Sequence, residues 1–145
     1  MTRTEACNKL HQTAKLELGV HETPGAGATS RIVTFGSYTS LKATSDEVPW
    51  CSAFANAVMA MAGFKGTGSA AARSWLDWGK ILLTPIVGCV VVFRRGDSAT
   101  QGHVAFCDHA DISNGIIRVI GGNQGDSVKV ACFPVSSVLG YRSPL

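Results

Sequence analysis

No run of this chain is long and apolar enough to cross a bilayer. The longest, Ile86 to Phe93 and Phe54 to Ala62, stop well short of the ~20 residues a spanning helix needs, so no membrane insertion is expected. Met1 to Val20 is polar and periodic and lacks the continuous apolar centre of a secretory leader, so synthesis in the cytoplasm is the expectation. Charge is scarce too, at 16% of residues, with a net value of +3. Arg94-Arg95 is the one pair of adjacent cations. Without a basic stripe interleaved with aromatics, nucleic acid is excluded as an expected partner. No CxxC pair occurs. The cysteines, Cys7, Cys51, Cys89, Cys107 and Cys132, are five, an odd number, which argues against a disulfide framework. Cys89, Cys107 and Cys132 lie in apolar, strand-like runs and read as small buried hydrophobes. The set Cys89, His103, Cys107 and His109 is rejected as a zinc site on its spacing, and neither a metal nor another cofactor is expected. Internal repeats and low-complexity tracts are absent as well.

What the chain has in quantity is glycine, 16 of 145 residues, and an apolar fraction of 46%. That is enough for one core in a single domain over residues 1–145, expected to be monomeric. Cys7 to Leu18 places Leu10, Ala14 and Leu18 on one helical stripe, with Gly19 as its stop. His21 to Ser30 and Ser40 to Pro49 read as loops, and Arg31 to Tyr38 as a short helix or extended piece. Trp50 to Ala62 predicts an Ala- and Met-rich helix closed by Gly63, and Ser69 to Trp78 a second one closed by Gly79. The last sixty or so residues change period. Gly88 to Arg94, Gly102 to Asp108, Ile116 to Ile120, Val128 to Phe133 and Val138 to Arg142 read as strands divided by turn residues. Helices first and strands afterwards predict an α+β fold with the helices packed on an antiparallel sheet.

One cysteine stands apart. Cys51 opens the helix that follows Pro49-Trp50, where unsatisfied backbone amides favour a thiolate and later an oxyanion. A cysteine hydrolase also needs an imidazole to share the proton and a third group to aim it. His103, after Gly102, begins a strand, and Asn123 ends the next strand within Gly121-Gly122-Asn123-Gln124. Cys51, His103 and Asn123 are therefore the candidate nucleophile, base and orienting residue. The plainer reading of each alone is core cysteine, strand-start histidine and turn asparagine. Trp50 and Trp75, with Gln124, are the candidate substrate contacts. The bland alternative for Trp75, three residues before Trp78 on one helix, is core packing.

Pro49-Trp50-Cys51-Ser52-Ala53-Phe54, Gly68-Ser69-Ala70, Arg73-Ser74-Trp75, Gly102-His103-Val104-Ala105-Phe106, Gly121-Gly122-Asn123-Gln124 and Leu139-Gly140-Tyr141-Arg142 resemble segments of CHAP-like wall hydrolases of phage and prophage, related to the NlpC group. The stretch Glu17 to Glu22 with Pro24-Gly25 resembles them too. The resemblance implies a papain-like fold and cleavage of an amide in the peptide part of bacterial peptidoglycan. It implies an endolysin made in the host cytoplasm and acting on the wall after release, with no separate wall-binding domain. It places Cys51 at the nucleophile, His103 at the base and Asn123 at the asparagine after the histidine strand. The acidic residue many relatives carry two positions before that asparagine is Gly121 here. The calcium loop some relatives carry before the cysteine is reduced to Asp46 and Glu47, without the alternation such a loop needs. Two rival readings remain on this sequence: a non-catalytic wall-binding or assembly protein on the same fold, and a secreted interbacterial amidase.

Overall fold

A capping box starts the first helix. Thr2 accepts from the Glu5 backbone amide, and the Glu5 carboxylate accepts from that of Thr2, which satisfies two orphan donors of α1, Arg3–Lys15. The helix thus begins ahead of Cys7, where the apolar stripe alone would start it. The computed structural model describes residues 1–22, 30–39 and 50–145. Most of the two expected loops, with Pro24, Asp46, Glu47 and Pro49, lies outside the described residues. The segment near Arg31 is helical, as α2, Ser30–Gly36. The third helix, α3, is Cys51–Met61, and every residue from Cys51 to Met59 is buried. A helix apolar on most of its surface belongs in the middle of a core. The expected helix at Ser69 is a 3-10 helix, Ala72–Asp77.

The strands are β1, Lys80–Leu82; β2, Val90–Arg94; β3, Gly102–Asp111; β4, Ile116–Gln124; β5, Ser127–Pro134; and β6, Val138–Ser143. They form one six-stranded antiparallel sheet in the order β1-β6-β2-β3-β4-β5. This is the α+β architecture expected, with β1 as an addition. The turn between β4 and β5 is shorter than the sequence suggested. β4 runs on to Gln124, which pairs with Ser127. The two residues between them, Gly125 and Asp126, have φ of 57° and 60°, the pattern of a tight hairpin that follows strand twist.

Strand alternation divides the core in two. Val90, Val92, Val104, Phe106 and Ile120 face the helices and pack with Leu10, Phe35 and Phe54. Val91, Phe93, Ala105, Ile117 and Val119 face the other way, with Cys7, Cys89 and Cys107 among them. All five cysteines are free thiols, and Cys132 is exposed rather than buried. It sits on β5, the edge strand, whose outer side is met by residues 19–22 at its Ser127–Val128 end. His11 and Arg118 both bond the Asp108 carboxylate, at 2.7 and 2.6 Å, and so tie α1 to β3 and β4.

The contact of α3 with β4 requires a glycine. A Cβ on Gly122 would lie 2.7 Å from the Phe54 Cβ and from the Trp50 ring. Gly122→Ala is expected to cost about 1–3 kcal/mol through overpacking, read as a lower midpoint in urea unfolding.

Candidate active site

Cys51 is the first residue of α3, and Trp50 stands at the N-cap with no side-chain cap. Backbone amides of a helix's first turn have no partner within the helix and suit a thiolate. The backbone of Val104, Ser52 and Cys51 itself favours the thiolate, and the Arg95 charge acts in the same direction. Burial outweighs these contributions and pushes the thiol up from its ordinary value. The lowered thiol expected from the helix start alone is therefore not found in the resting protein, because the side chain is only 6% exposed.

The following residue builds the wall beside the thiol. The Ser52 hydroxyl donates to the Ser69 carbonyl at 2.6 Å and accepts from the Trp75 indole at 2.9 Å. Asn56, one turn on, donates to the carbonyls of Ser52 and Ser69 and accepts from the Gly68 amide. This buried network pins residues 67–71 onto α3. Ser52 and Asn56 were not singled out from sequence; polar residues on an otherwise apolar helix were the available signal.

His103 lies on β3 opposite Phe93 of β2, its ring stacked on Phe93 at 6.0 Å and tilted against Phe133 at 5.5 Å, with the two phenyl rings themselves 4.7 Å apart. Its Nε2 is 2.8 Å from Gln124 Oε1. The Gln124 amide in turn donates to the Lys129 carbonyl at 2.6 Å. A carbonyl can only accept, so the Gln124 nitrogen must face Lys129 and its oxygen must face the imidazole. His103 Nε2 then carries the proton, and the bare nitrogen of the neutral ring is Nδ1. That atom is buried and has no hydrogen-bond partner among the described residues. Burial lowers the imidazole from its ordinary value, the Gln124 bond raises it, and the Arg95 charge lowers it further; the net shift is downward.

The hydrogen bond expected from Asn123 is thus made by Gln124, for a local reason. Gly121 pairs with Lys129 and Gln124 with Ser127, so β4 holds one extra residue between those pairs. This is a bulge, with Asn123 at φ 58°. Regular alternation would turn Asn123 to the His103 face; the extra residue turns Gln124 there instead. Gly121 leaves room for it, since a Cβ at Gly121 would lie 2.7 Å from Gln124 Oε1.

Two adjoining cavities hold the candidate groups. The first, about 240 Å³, is lined by Cys51, Ala70, Ala72, Arg95 and Gly102 among others. The second, about 550 Å³, is lined by His103, Asn123, Gln124, Arg94 and Arg95 with others. Arg95 borders both. Cys51 and His103 approach the start of β3 from its two faces, the thiol meeting the backbone of Val104, the residue after His103. Among the described residues no hydrogen bond joins thiol to imidazole. The two tryptophans expected at the substrate lie elsewhere. Trp50 is 3% exposed and donates to the Glu22 carboxylate at 2.7 Å. Trp75 is 0% exposed, edge-on to Trp78. Both serve the core, and neither lines these cavities. Gln124 does line the second cavity, but both ends of its amide are engaged within the protein.

The family model described as CHAP domain matches residues 43–123, more than half of the chain. The matched segment spans Cys51, His103 and Asn123 and stops one residue before Gln124. No curated protein sequence matches the chain.

Proposed function

The chain belongs to the CHAP domain family, and from that premise we propose that it is a cysteine-dependent hydrolase cleaving an amide bond in the peptide part of peptidoglycan. Family membership indicates a hydrolase acting on peptidoglycan, of amidase or peptidase type. The assignment of residues to roles is our reading. The observation that carries it is the bare, buried Nδ1 of His103, on an imidazole fixed at its far nitrogen, one residue from the backbone amide that touches the Cys51 thiol.

The steps follow from those atoms. Cys51 Sγ attacks the amide carbonyl as its proton passes to His103 Nδ1. That transfer requires the two groups to come within hydrogen-bond reach, or within reach of one bridging water, when substrate binds. The negative charge that develops on the carbonyl oxygen is met by backbone amides at the start of α3. His103 then gives its proton to the leaving amine, the C–N bond breaks, and a thioester remains on Cys51. Water, losing a proton to His103, attacks the thioester. Cys51 leaves as thiolate, regains the proton, and the carboxylic acid departs.

Mass spectrometry of purified peptidoglycan after digestion tests this. The expected products carry a new amine and a new carboxyl end with the glycan chains unbroken; reducing sugar ends in place of these would overturn it. The same spectra assign the amide as glycan–peptide or peptide–peptide. We propose with this activity the role of a phage-type endolysin, which rests on the sequence resemblance. A neighbouring holin gene supports that role, and a neighbouring immunity gene supports an interbacterial amidase.

The pKa directions set the pH profile. The working pair holds one proton between thiol and imidazole. Lowering of His103 moves the acid limb of kcat/KM below the ordinary imidazole value of 6.5, because protonated His103 cannot accept the thiol proton. Raising of Cys51 moves the alkaline limb above the ordinary thiol value of 9.0. The expected profile is a plateau broader than the unshifted pair would give. A bell centred between limbs that both lie inside 6.5 and 9.0 would contradict it.

A further inference from the structure

The second cavity has a charge that catalysis does not use. Arg94, Arg95 and Lys129 line it, and no acidic side chain among the described residues lines either cavity. None of these three cations forms an ion pair among the described residues; the pairs present are His11–Asp108, Arg31–Glu17 and Arg118–Asp108. Lys129 is held over the hairpin turn, close enough that a Cβ on Gly125 would lie 2.5 Å from its Nζ. The site is therefore a pocket of about 550 Å³ lined by His103 and by three positive groups that no acidic side chain among the described residues neutralises. A chain of modest net charge, +3, concentrates three cations beside its imidazole.

We infer that this cavity binds a free carboxylate of the substrate peptide, with Arg95 as the residue that selects it. The inference rests on the hydrolase reading and names the substrate class of the same site. Arg95 is the shared wall of the Cys51 and His103 cavities, so an anion on its guanidinium lies beside the bond under attack. The anion and the scissile amide therefore belong to one small molecule, a peptide with a carboxylate within a residue or two of the cleaved bond. A guanidinium presents a planar fork of donors that matches a carboxylate in two parallel bonds. A carboxamide at the same place offers one acceptor and carries no charge. Stem peptides whose side carboxylates are free are the preferred substrates, and those whose carboxylates are amidated are selected against.

The test uses the whole chain and two muropeptides that differ only in a carboxylate or carboxamide next to the cleaved bond. Wild type is expected to favour the carboxylate by about 10- to 100-fold in kcat/KM, the size of one charge-assisted contact. In Arg95→Gln the ratio is expected to fall to within about twofold of one. Lys15→Gln, which removes the same charge from the exposed end of α1, keeps the wild-type ratio. A wild-type ratio near one, or a ratio that survives Arg95→Gln, overturns the inference. Should neither peptide be hydrolysed, the catalytic reading fails, and the selectivity is still read from affinity. Titration of Cys51→Ala with the same two peptides then shows either the same preference for the carboxylate, which supports the inference, or equal binding, which overturns it.

Discussion

Cys51→Ala is expected to remove hydrolysis of peptidoglycan, by roughly 10⁴-fold or more, because loss of an attacking atom abolishes the covalent route and leaves only binding and oxyanion contacts. The folded state should hardly notice. Cys51 borders an open cavity, and deletion of one sulfur beside such a space costs about 1 kcal/mol or less. Other thiols provide the contrast. Cys89 and Cys107 are fully enclosed in the second core cluster, opposite one another at the end of the β2–β3 ladder, with the Cys107 amide bonded to the Cys89 carbonyl at 2.9 Å. Their hydrogen bond pushes the Cys89 thiol up, with burial adding to it, and pulls the Cys107 thiol down, but both are enclosed and line neither cavity, so substrate reaches neither. Cys89→Ala is expected to lower stability by about 1–2 kcal/mol and to keep the specific rate of the molecules that remain folded. Hydrolysis by Cys51→Ala at a rate near wild type would end the cysteine mechanism. The measurement pairs release of new amino groups with a melting curve for each variant, so that loss of chemistry and loss of fold are separated.

The contrast between Cys51 and its fellow cysteines was legible in the sequence because it depends on local order alone. A cysteine after Pro49-Trp50 and before an Ala-rich run opens a helix wherever that helix packs. His103 was legible for the same reason, as Gly102 and the β-branched and aromatic residues after it start a strand. Cys132 was misread because an apolar strand looks the same at a sheet's edge as at its centre; only the strand order distinguishes them. β1 was missed altogether. Three residues, two of them exposed, have no periodicity to read, and their partner β6 lies at the far end of the chain. Trp75 has the opposite history. Its spacing from Trp78 suited a core pair better than a groove wall, and the Ser52 hydroxyl decides for the core by giving the indole nitrogen a buried partner. The bulge in β4 was the costliest omission for the site. Strand parity carries no mark of an inserted residue, although an asparagine after two glycines is a residue type that tolerates the left-handed backbone a bulge requires.

Gln124→Ala is expected to lower kcat by roughly 10- to 1000-fold, the range for losing orientation of a base that is otherwise intact. Without the amide, His103 Nε2 loses its acceptor, the ring is no longer held in the tautomer that leaves Nδ1 bare, and the imidazole can turn against Phe93 and Phe133. Gly121→Ala should give the same phenotype from another atom, since the new methyl would press on Gln124 Oε1 from 2.7 Å and displace it. Asn123→Ala separates the two neighbours. Alanine at φ 58° costs about 1 kcal/mol of backbone strain, so the melting temperature falls while the rate per folded molecule stays within a few-fold of wild type. A purely structural role for Gln124 would lower its melting temperature in the same way and leave kcat alone. The pH profile gives a readout such a role cannot move. In Gln124→Glu a carboxylate beside Nε2 favours the imidazolium, raises the His103 pKa and shifts the acid limb to higher pH. An unchanged kcat in Gln124→Ala, or an acid limb that stays fixed in Gln124→Glu, would remove Gln124 from the mechanism. A fall in Asn123→Ala as large as in Gln124→Ala would return the orienting role to the residue the motif first indicated.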